Sequence, residues 1–260
     1  GKTTTAINLA TALAAIGKKT LLIDLDPQGN ASTGVGFSEN SSRVGNIYDV
    51  LVKLEPPKSC IKQTLIPNLD LIPSVIDLAA AEIELYDIVE KEFQLKRRLD
   101  SVKSDYEYII IDCPPSLGML TINALAFSHS IIIPLQSEFF ALEGLIHLIN
   151  TIKLVKKAIN PELVVEGIVL TMVDKRNKLT FQVEQDVRQT FGALVYETVI
   201  PRNIKLSEAP SHGKPAIVYD NSCSGSHAYM MLAKEIVKQH DIASNDNKED
   251  KNDSRETSFG

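Results

Sequence analysis

Short apolar runs alternate along this chain with longer stretches of helical periodicity, and the alternation predicts an α/β fold. The runs have the length of buried strands and lie at Thr20–Asp26, Leu69–Pro73, Tyr108–Asp112, Ser130–Leu135, Val164–Leu170 and Val195–Ile200. The longest helical stretches between them are Thr3–Ile16, Leu142–Ile159 and Phe181–Phe191. Strands that alternate with helices of this length indicate a mostly parallel central sheet flanked by helices.

Helix ends, loops and the C-terminal tail can also be predicted from the sequence. Gly17 follows the first helix and is expected to end it, whereas the Gly-, Ser- and Asn-rich segment 27–46 reads as a loop. We expect a last helix over about Ser226–Gln239. The polar residues 241–260 cannot bury enough apolar area to offset their ordering entropy, so they predict an acidic disordered tail.

Charge and cysteine content exclude several classes of function. The tail holds six acids and three bases, so it carries half of the net charge of −6, and a local basic face on the remaining body stays possible. Cys60, Cys113 and Cys223 are widely spaced and form no C-x-x-C pair, which argues against a disulfide framework or a zinc site. No apolar run reaches the length of a membrane span.

The first residues carry a phosphate-binding pattern. Gly1-Lys2-Thr3-Thr4 matches the second half of G-x-x-x-x-G-K-[ST], a loop in which backbone N–H groups and a Lys bind phosphates. The hydroxyl after the Lys is a Mg²⁺ ligand in that motif. Taken alone, four residues leave open the simpler interpretation of a charged helix start.

Acids at the ends of two predicted strands strengthen the phosphate interpretation. One strand ends in Asp24-Leu-Asp26, and Ile109-Ile-Ile-Asp112-Cys-Pro-Pro has the form of a Walker B strand. The carboxyl ends of parallel strands are where open α/β sheets bind ligands, and a carboxylate there can hold a Mg²⁺-bound water. Three features in this order predict binding of ATP or GTP.

The motifs together resemble a known family. GKTTTAINLA, LLIDLDPQGNAST, YIIIDCPPSLG and VIPRNIKLSEAPSHGKP are similar to the successive motifs of ParA/Soj-type chromosome and plasmid partition ATPases. These belong, with MinD, to the deviant Walker A class of P-loop ATPases. The resemblance runs from Gly1 to about Gln239, and it implies one P-loop NTPase domain over residues 1–240 that uses ATP and Mg²⁺.

The resemblance also implies roles for residues at matching positions. It implies Lys2 and Asp26 as the catalytic residues, with Lys2 on the phosphates and Asp26 positioning or activating the attacking water. It implies Mg²⁺ binding through Thr3 and Asp112. The residues that it implies for ATP binding are Gly1, Lys2, Thr3, Thr4, Pro201, Arg202 and Asn203, the last three over the adenine.

One departure from the family pattern concerns the phosphate loop. The family reads K-G-G-V-G-K-T-T, and the sequence begins inside this loop, without the signature Lys and without the preceding strand that belongs at the centre of the sheet. Losing a central strand should cost more than the roughly 5–15 kcal/mol that stabilises a whole domain. We therefore expect Gly1–Gly260 alone neither to fold stably nor to hydrolyse ATP.

Basic residues after two strands are candidates for contact with DNA. The resemblance implies sequence-independent DNA binding, and the candidates are Lys175, Arg176, Lys178 and Lys205. A solvated basic rim is the alternative, and Arg202 is equally suited to the nucleotide. Phosphate contacts without base reading would make the affinity strongly salt-dependent.

The resemblance finally implies a task. It implies a slow ATPase that acts as a switch and dimerises around ATP. It also implies a location in the bacterial cytoplasm, on the nucleoid, and a ParB/Spo0J-like centromere-binding partner. A related ATPase that positions a non-DNA cargo is the main alternative. A MinD-like membrane switch fits less well because the acidic C-terminal segment lacks a basic amphipathic pattern.

Overall fold

The computed structural model describes residues 1–38, 45–138, 141–174 and 176–256, the last fourteen of these as backbone only. The strands are β1 (Thr20–Asp24), β2 (Lys62–Gln63), β3 (Leu69–Ile72), β4 (Tyr108–Asp112), β5 (Ser130–Gln136) and β6 (Val164–Thr171). The helices are α1 (Lys2–Ala15), α2 (Asn30–Gly34), α3 (Ile47–Leu51), α4 (Pro57–Cys60), α5 (Leu78–Glu84), α6 (Gln94–Leu99), α7 (Met119–Phe127), α8 (Ala141–Ala158), α9 (Lys178–Phe191), α10 (Ile204–Glu208), α11 (Ala216–Tyr219) and α12 (Ser224–Glu256).

The strands are mostly parallel, as the sequence predicts. In the order β2-β3-β1-β4, strand β1 lies parallel to both β3 and β4, and only β2 runs antiparallel. Strands β5 and β6 form a second parallel pair. The register sets Asp24 of β1 opposite Asp112 of β4, so the two acids end neighbouring strands at one edge of the sheet.

Helix α1 packs against both sets of strands. Its buried Leu9 and Leu13 share a core cluster with Ile110 of β4 and Ile132 of β5. Among the described strands, β4 pairs only with β1 and β5 only with β6. The edges that face α1 are apolar, and Ile110 and Ile132 are half-buried there. The first helix and its phosphate-binding start are therefore held over the junction of the two sheets.

Four predicted elements differ from the structure. Strand β1 ends at Asp24 and not at Asp26, and α2 lies inside the predicted loop, of which residues 39–44 are outside the described ranges. Among the described residues, the segment 195–200 makes one isolated parallel bridge to β6, between Val195 and Ile168. Its ladder is interrupted because the N–H groups of Glu197 and Thr198 donate to the Glu235 carboxylate of α12 at 2.7 and 3.0 Å.

The last helix is the fourth difference. We predicted an end near Gln239 followed by a disordered tail, whereas α12 continues to Glu256. No Gly or Pro occurs between Ser226 and Phe259, so no residue in this stretch breaks the helical backbone. The predicted helix end is wrong, and the division of the chain at residue 240 stays a prediction.

Candidate active site

The start of α1 is built to approach a ligand closely. Gly1 is its N-cap residue, and its carbonyl accepts the N–H of Thr5 at 3.0 Å. A Cβ at Gly1 would lie only 3.2 Å from the Thr171 hydroxyl at the end of β6, so a larger residue would crowd this position. Lys2 is exposed and Thr3 half-buried. Free N–H groups and the helix dipole favour an anion here.

Asp24 is the last residue of β1 and is fully buried. Its carboxylate accepts the Ser32 N–H and the Ser32 hydroxyl, both at 2.7 Å, and the Asp26 N–H at 3.3 Å. Burial raises the pKa of Asp24 to about 6, although the Ser32 bonds oppose the rise. The Ser32 hydroxyl in turn accepts the Ser74 N–H at 3.0 Å. Asp24 thus joins β1, α2 and the end of β3.

Asp26 sits in the turn directly after β1. Its carboxylate accepts the Gln28 N–H at 3.0 Å, and its carbonyl accepts the Gly29 N–H at 2.9 Å. Gly29 has a φ of 63°, a left-handed conformation that favours glycine. The turn fixes the position of Asp26, which is buried directly after the end of β1.

Asp112 is the most unusual group at this edge. It is 1% exposed, and neither carboxylate oxygen has a hydrogen-bond partner among the described residues. Burial raises the pKa of Asp112 to about 7, and the charges of Asp24 and Asp26 add to the rise. Thr3 lies close enough to oppose it without forming a hydrogen bond of good geometry. A buried carboxylate without partners is costly unless something compensates it.

The donor set fits Mg²⁺ with a phosphate ligand. Mg²⁺ prefers oxygen, keeps several waters and is usually bound through one or two carboxylates plus substrate phosphates. The free oxygens of Asp112 and the hydroxyl of Thr3 provide these groups. In the described parts of the chain, no three His, Cys, Asp or Glu side chains are arranged to hold a metal by themselves.

The residues predicted to cover a base form a second group at the same edge. Val173 pairs with Pro201, and the Arg202 N–H donates to the Val173 carbonyl at 3.0 Å. Asn203 caps α10 and holds the Ser224 hydroxyl at 2.9 Å. The structure therefore brings Pro201–Asn203 to the end of β6, the strand that ends beside Gly1. Thr4 lies in α1 and contributes its carbonyl to Asn8.

Two of the candidate DNA contacts are engaged in local ion pairs. Arg176 donates from Nε and Nη2 to Asp174, both at 2.9 Å, although its side chain is 90% exposed. Lys205 pairs with Glu208 at 3.0 Å. Lys178 begins α9 and is exposed, whereas Lys175 lies outside the described residues. Arg176 and Lys178 follow β6, whereas Lys205 follows the segment 195–200, and the bridge between Val173 and Pro201 joins the two segments.

Sequence reasoning missed three residues that shape this edge. Ser32 holds Asp24, Thr171 limits the space at Gly1, and Asp174 holds Arg176. Each contact joins segments that are distant in the chain or depends on the local turn. The only local signal was Asp174, two residues before Arg176 at a strand end.

Comparisons with known proteins agree with this site. A family model described as AAA domain matches residues 1–165. Sporulation initiation inhibitor protein Soj of Bacillus subtilis is 54% identical over 237 residues, which cover 91% of this chain and 93% of Soj. Chromosome partitioning protein ParA of Caulobacter vibrioides is 50% identical over 241 residues, covering 92% and 90% of the two chains.

A solved structure extends the comparison to the fold. Cobyrinic acid a,c-diamide synthase from Mycobacterium smegmatis, with bound ADP and magnesium, has a TM-score of 0.79 at 32% identity over 92% of this chain and 90% of that one. The chain belongs to the ParA/Soj family of P-loop ATPases. The resemblance predicted from the motifs is confirmed. Among the described helices, none combines the length and the apolar character needed to span a bilayer.

Proposed function

We propose that this protein binds Mg²⁺-ATP at the carboxyl edge of β1 and β4, hydrolyses it slowly and uses the bound state as a switch. The observation that carries the proposal is Asp112, a buried carboxylate beside the start of α1 that has no hydrogen-bond partner in the part of the chain that the structure describes. A bound Mg²⁺ would neutralise charge on the phosphates and compensate this carboxylate. Asp112 and Thr3 would hold the ion, and Gly1, Lys2, Thr3 and Thr4 the phosphates.

Hydrolysis would depend on the chain's own groups in two places. The exposed Lys2 ammonium can reach phosphate oxygens and offset the charge that develops on them. Asp26, fixed by its turn, would orient a water and accept its proton. Pro201, Arg202 and Asn203 would cover the adenine. Few charged groups serve the reaction, so slow turnover is expected, which suits a switch.

The switch acquires its task from what the ATP state binds. We infer an ATP-dependent homodimer that binds DNA without sequence preference through Arg176, Lys178, Lys205 and Lys175. The bridge between Val173 and Pro201 supports this inference, because the described Arg176, Lys178 and Lys205 follow these two positions in the chain. A ParB-like centromere-binding protein would be the partner, and the bacterial nucleoid the location. The relatives named as chromosome partitioning proteins support this proposal.

A non-DNA cargo is the second candidate, and one observation favours it. Arg176 and Lys205 are each paired with an acid two or three residues away in the chain, which reduces the positive charge available to phosphates. A DNA-binding role requires phosphates to compete with Asp174 and Glu208. The two candidates therefore differ in whether the basic residues of this edge bind DNA phosphates, which can be measured.

Sedimentation of the full-length protein with DNA tests the proposal. Binding should require ATP, ignore DNA sequence and fall steeply with salt, and Arg176→Glu and Lys205→Glu should each weaken it. Lys103→Glu is the matched control, because Lys103 is in a similar exposed ion pair before β4, at the opposite edge. Absence of DNA binding in both nucleotide states, with ATP-dependent dimerisation intact, would favour the non-DNA cargo.

A further inference from the structure

We propose that Glu235 of α12 and Arg188 of α9 are positioning residues for the base of the nucleotide. Both bind an irregular stretch of the segment 195–200, and this stretch sets the place of the turn Pro201–Asn203. The role of that turn in covering the base rests on the proposed function, whereas the contacts that position the turn are independent of it.

Residues 196–198 form a bulge beside β6. The Tyr196 N–H donates to the Ile168 carbonyl at 3.0 Å. Further along, the Ile200 N–H donates to the Leu170 carbonyl at 2.8 Å, so the segment advances by four residues while β6 advances by two. A regular parallel ladder advances equally on both strands, and the segment therefore carries extra residues, as in a β-bulge.

Two charged side chains bind the backbone groups of the bulge. The Glu235 carboxylate accepts the N–H groups of Glu197 and Thr198 at 2.7 and 3.0 Å. The Arg188 guanidinium donates to the carbonyls of Tyr196 at 3.1 Å and of Glu197 at 3.5 Å. Backbone groups that leave a ladder need other partners, and hydrogen bonds to ionised groups are stronger than bonds between neutral ones. The conformation of the bulge therefore depends on side chains from two helices.

Further contacts fix the start of the bulge. Tyr196 is 2% exposed, and a Cβ at Gly167 of β6 would lie 2.4 Å from its ring, so the tyrosine packs directly on the strand. Glu184, one turn before Arg188 in α9, accepts the Arg188 Nε–H at 3.0 Å and sets the direction of the guanidinium. The chain is thus fixed before the bulge by packing, and within it by Glu235 and Arg188.

Pairing with β6 resumes at the candidate active site. The Val173 N–H donates to the Ile200 carbonyl, and the Arg202 N–H donates to the Val173 carbonyl, both at 3.0 Å. Met172, directly before, has a φ of 55°, a strained conformation for a residue other than glycine. The number of residues that the bulge takes up decides which residues meet Val173. The bulge thereby places Pro201–Asn203 at the end of β6.

Helix α12 contacts the chain on both sides of this pairing. Its first residue, Ser224, accepts the Asn203 Nδ2–H at 2.9 Å, and Glu235 follows eleven residues later. Eleven residues make about three helical turns, so Ser224 and Glu235 lie on one face of the helix. The bulge and the turn are therefore attached to the same rigid element, and a change at Glu235 should be transmitted to the turn.

The residues that we propose to bind the phosphates belong to other elements. Lys2 and Thr3 lie in α1 and Asp112 ends β4, whereas the bonds described above for the bulge join it to β6, α9 and α12. Loss of the Glu235 bonds should therefore weaken contacts to the base and leave contacts to the phosphates. This difference separates a positioning residue from a residue that only stabilises the fold.

Calorimetric titration of the full-length protein with ADP and with inorganic pyrophosphate, both with Mg²⁺, tests this difference. Pyrophosphate carries the phosphates without the base. Glu235→Ala should weaken ADP binding about tenfold and change pyrophosphate binding by less than about twofold. Glu235→Gln, which keeps one acceptor oxygen, should weaken ADP binding about threefold. Glu107→Ala is the matched control and should change neither affinity, because Glu107 accepts the Lys19 N–H at 3.1 Å before β4.

Steady-state hydrolysis gives a second readout. Glu235→Ala should raise KM for ATP about tenfold and leave kcat within about twofold, because Lys2 and Asp26 keep their places. A loss of kcat as large as the rise in KM would overturn the positioning role.

Hydrogen exchange of single amides tests the position of the turn without nucleotide. In Glu235→Ala and in Arg188→Ala, the Arg202 amide should exchange about tenfold faster, although its acceptor Val173 is unchanged. Exchange in β1 should stay the same. Faster exchange confined to Glu197 and Thr198 would overturn the proposal, because the change would not reach the turn.

The remaining outcomes separate this inference from the proposed function. Equal weakening of ADP and pyrophosphate by Glu235→Ala would overturn the positioning role, as would equal weakening of ADP by Glu107→Ala. Faster Arg202 exchange in a protein that binds ADP no more tightly than pyrophosphate would support the positioning of the turn. The same result would count against the proposed covering of the base by Pro201–Asn203.

Discussion

The buried Asp112 and the half-buried Glu166, at opposite edges of the strands, have opposite surroundings. Asp112, at the carboxyl end of β4, has no hydrogen-bond partner among the described residues. Glu166, near the start of β6, accepts the Tyr196 hydroxyl at 3.3 Å, pairs with His240 at 3.0 Å and holds the Ser130 hydroxyl. Both groups lose water on folding, but only Glu166 is compensated within the chain.

The pKa values follow this difference. Burial raises the pKa of Asp112 to about 7, whereas for Glu166 the bonds from His240, Ser130 and Tyr196 outweigh burial and leave its pKa below the ordinary value. A satisfied buried acid stabilises the fold, and here it ties α12 to β5 and β6. An unsatisfied one is kept for a ligand. The contrast supports the proposed functional edge of the sheet without reference to any motif.

The largest expected effect is on hydrolysis. Asp26→Ala should lower the ATPase rate by about 10²–10³-fold, because the group that orients the water is lost, while ATP binding remains. Steady-state hydrolysis and equilibrium binding of labelled ATP measure the two properties. Asp70→Ala is a matched control, since Asp70 lies within β3, away from the carboxyl edge. Full activity in Asp26→Ala would contradict the assignment.

The second effect compares the two carboxylates directly. Without nucleotide, Glu166→Gln should lower the free energy of unfolding by about 1–3 kcal/mol because its partners lose a charged acceptor. Asp112→Asn should leave the free energy of unfolding unchanged or raise it by about 1–2 kcal/mol because it removes a buried charge without partners. Urea unfolding at pH 8 measures both. Equal destabilisation by the two substitutions would break the comparison.

A third, smaller effect concerns the ion pairs of the basic edge. Asp174→Asn should tighten ATP-dependent DNA binding about two- to fivefold, because phosphate no longer competes with Asp174 for Arg176. The salt series described above measures it. Asp100→Asn removes the acid of a similar exposed pair with Lys103 and should have no effect. Weaker DNA binding in Asp174→Asn would show that Asp174 assists the site.

The smallest effect is a pH dependence at the opposite edge. The bond to Glu166 raises the pKa of His240 above its ordinary value, although burial opposes this. The stabilisation is complete below the unfolded pKa of about 6.5 and is lost as pH rises through the folded pKa. Because His240 is partly exposed, His240→Asn should cost about 0.5 kcal/mol at pH 5.5 and almost nothing at pH 9. The same cost at both pH values would contradict the pairing.

The sequence predicted correctly those element bounds that depend on neighbouring residues in the chain. The bounds of β4 are those predicted, because an apolar run ends in Asp112 and is stopped by Pro114 and Pro115. The end of α1 was predicted from Gly17, which has a φ of 87°. These elements carry most of the candidate site.

Contacts between distant segments were not predictable in this way. The strand predicted over 195–200 is interrupted by Glu235, a residue of a helix far along the chain. The surroundings of Asp112 and Glu166 likewise depend on which elements pack beside them. The residues next to Asp112 and Glu166 in the chain do not distinguish an acid that binds a ligand from an acid that stabilises the fold.

Thermal unfolding with ADP, with and without Mg²⁺, tests the central claim most directly. For a ligand at about one hundred times its Kd, binding adds about 2.7 kcal/mol to the free energy of unfolding. We predict that Mg²⁺ increases the stabilisation by ADP in the unsubstituted protein and in Glu166→Gln, but not in Asp112→Asn. An unchanged Mg²⁺-dependent increase in Asp112→Asn would contradict the conclusion that this carboxylate is kept for the metal–nucleotide complex.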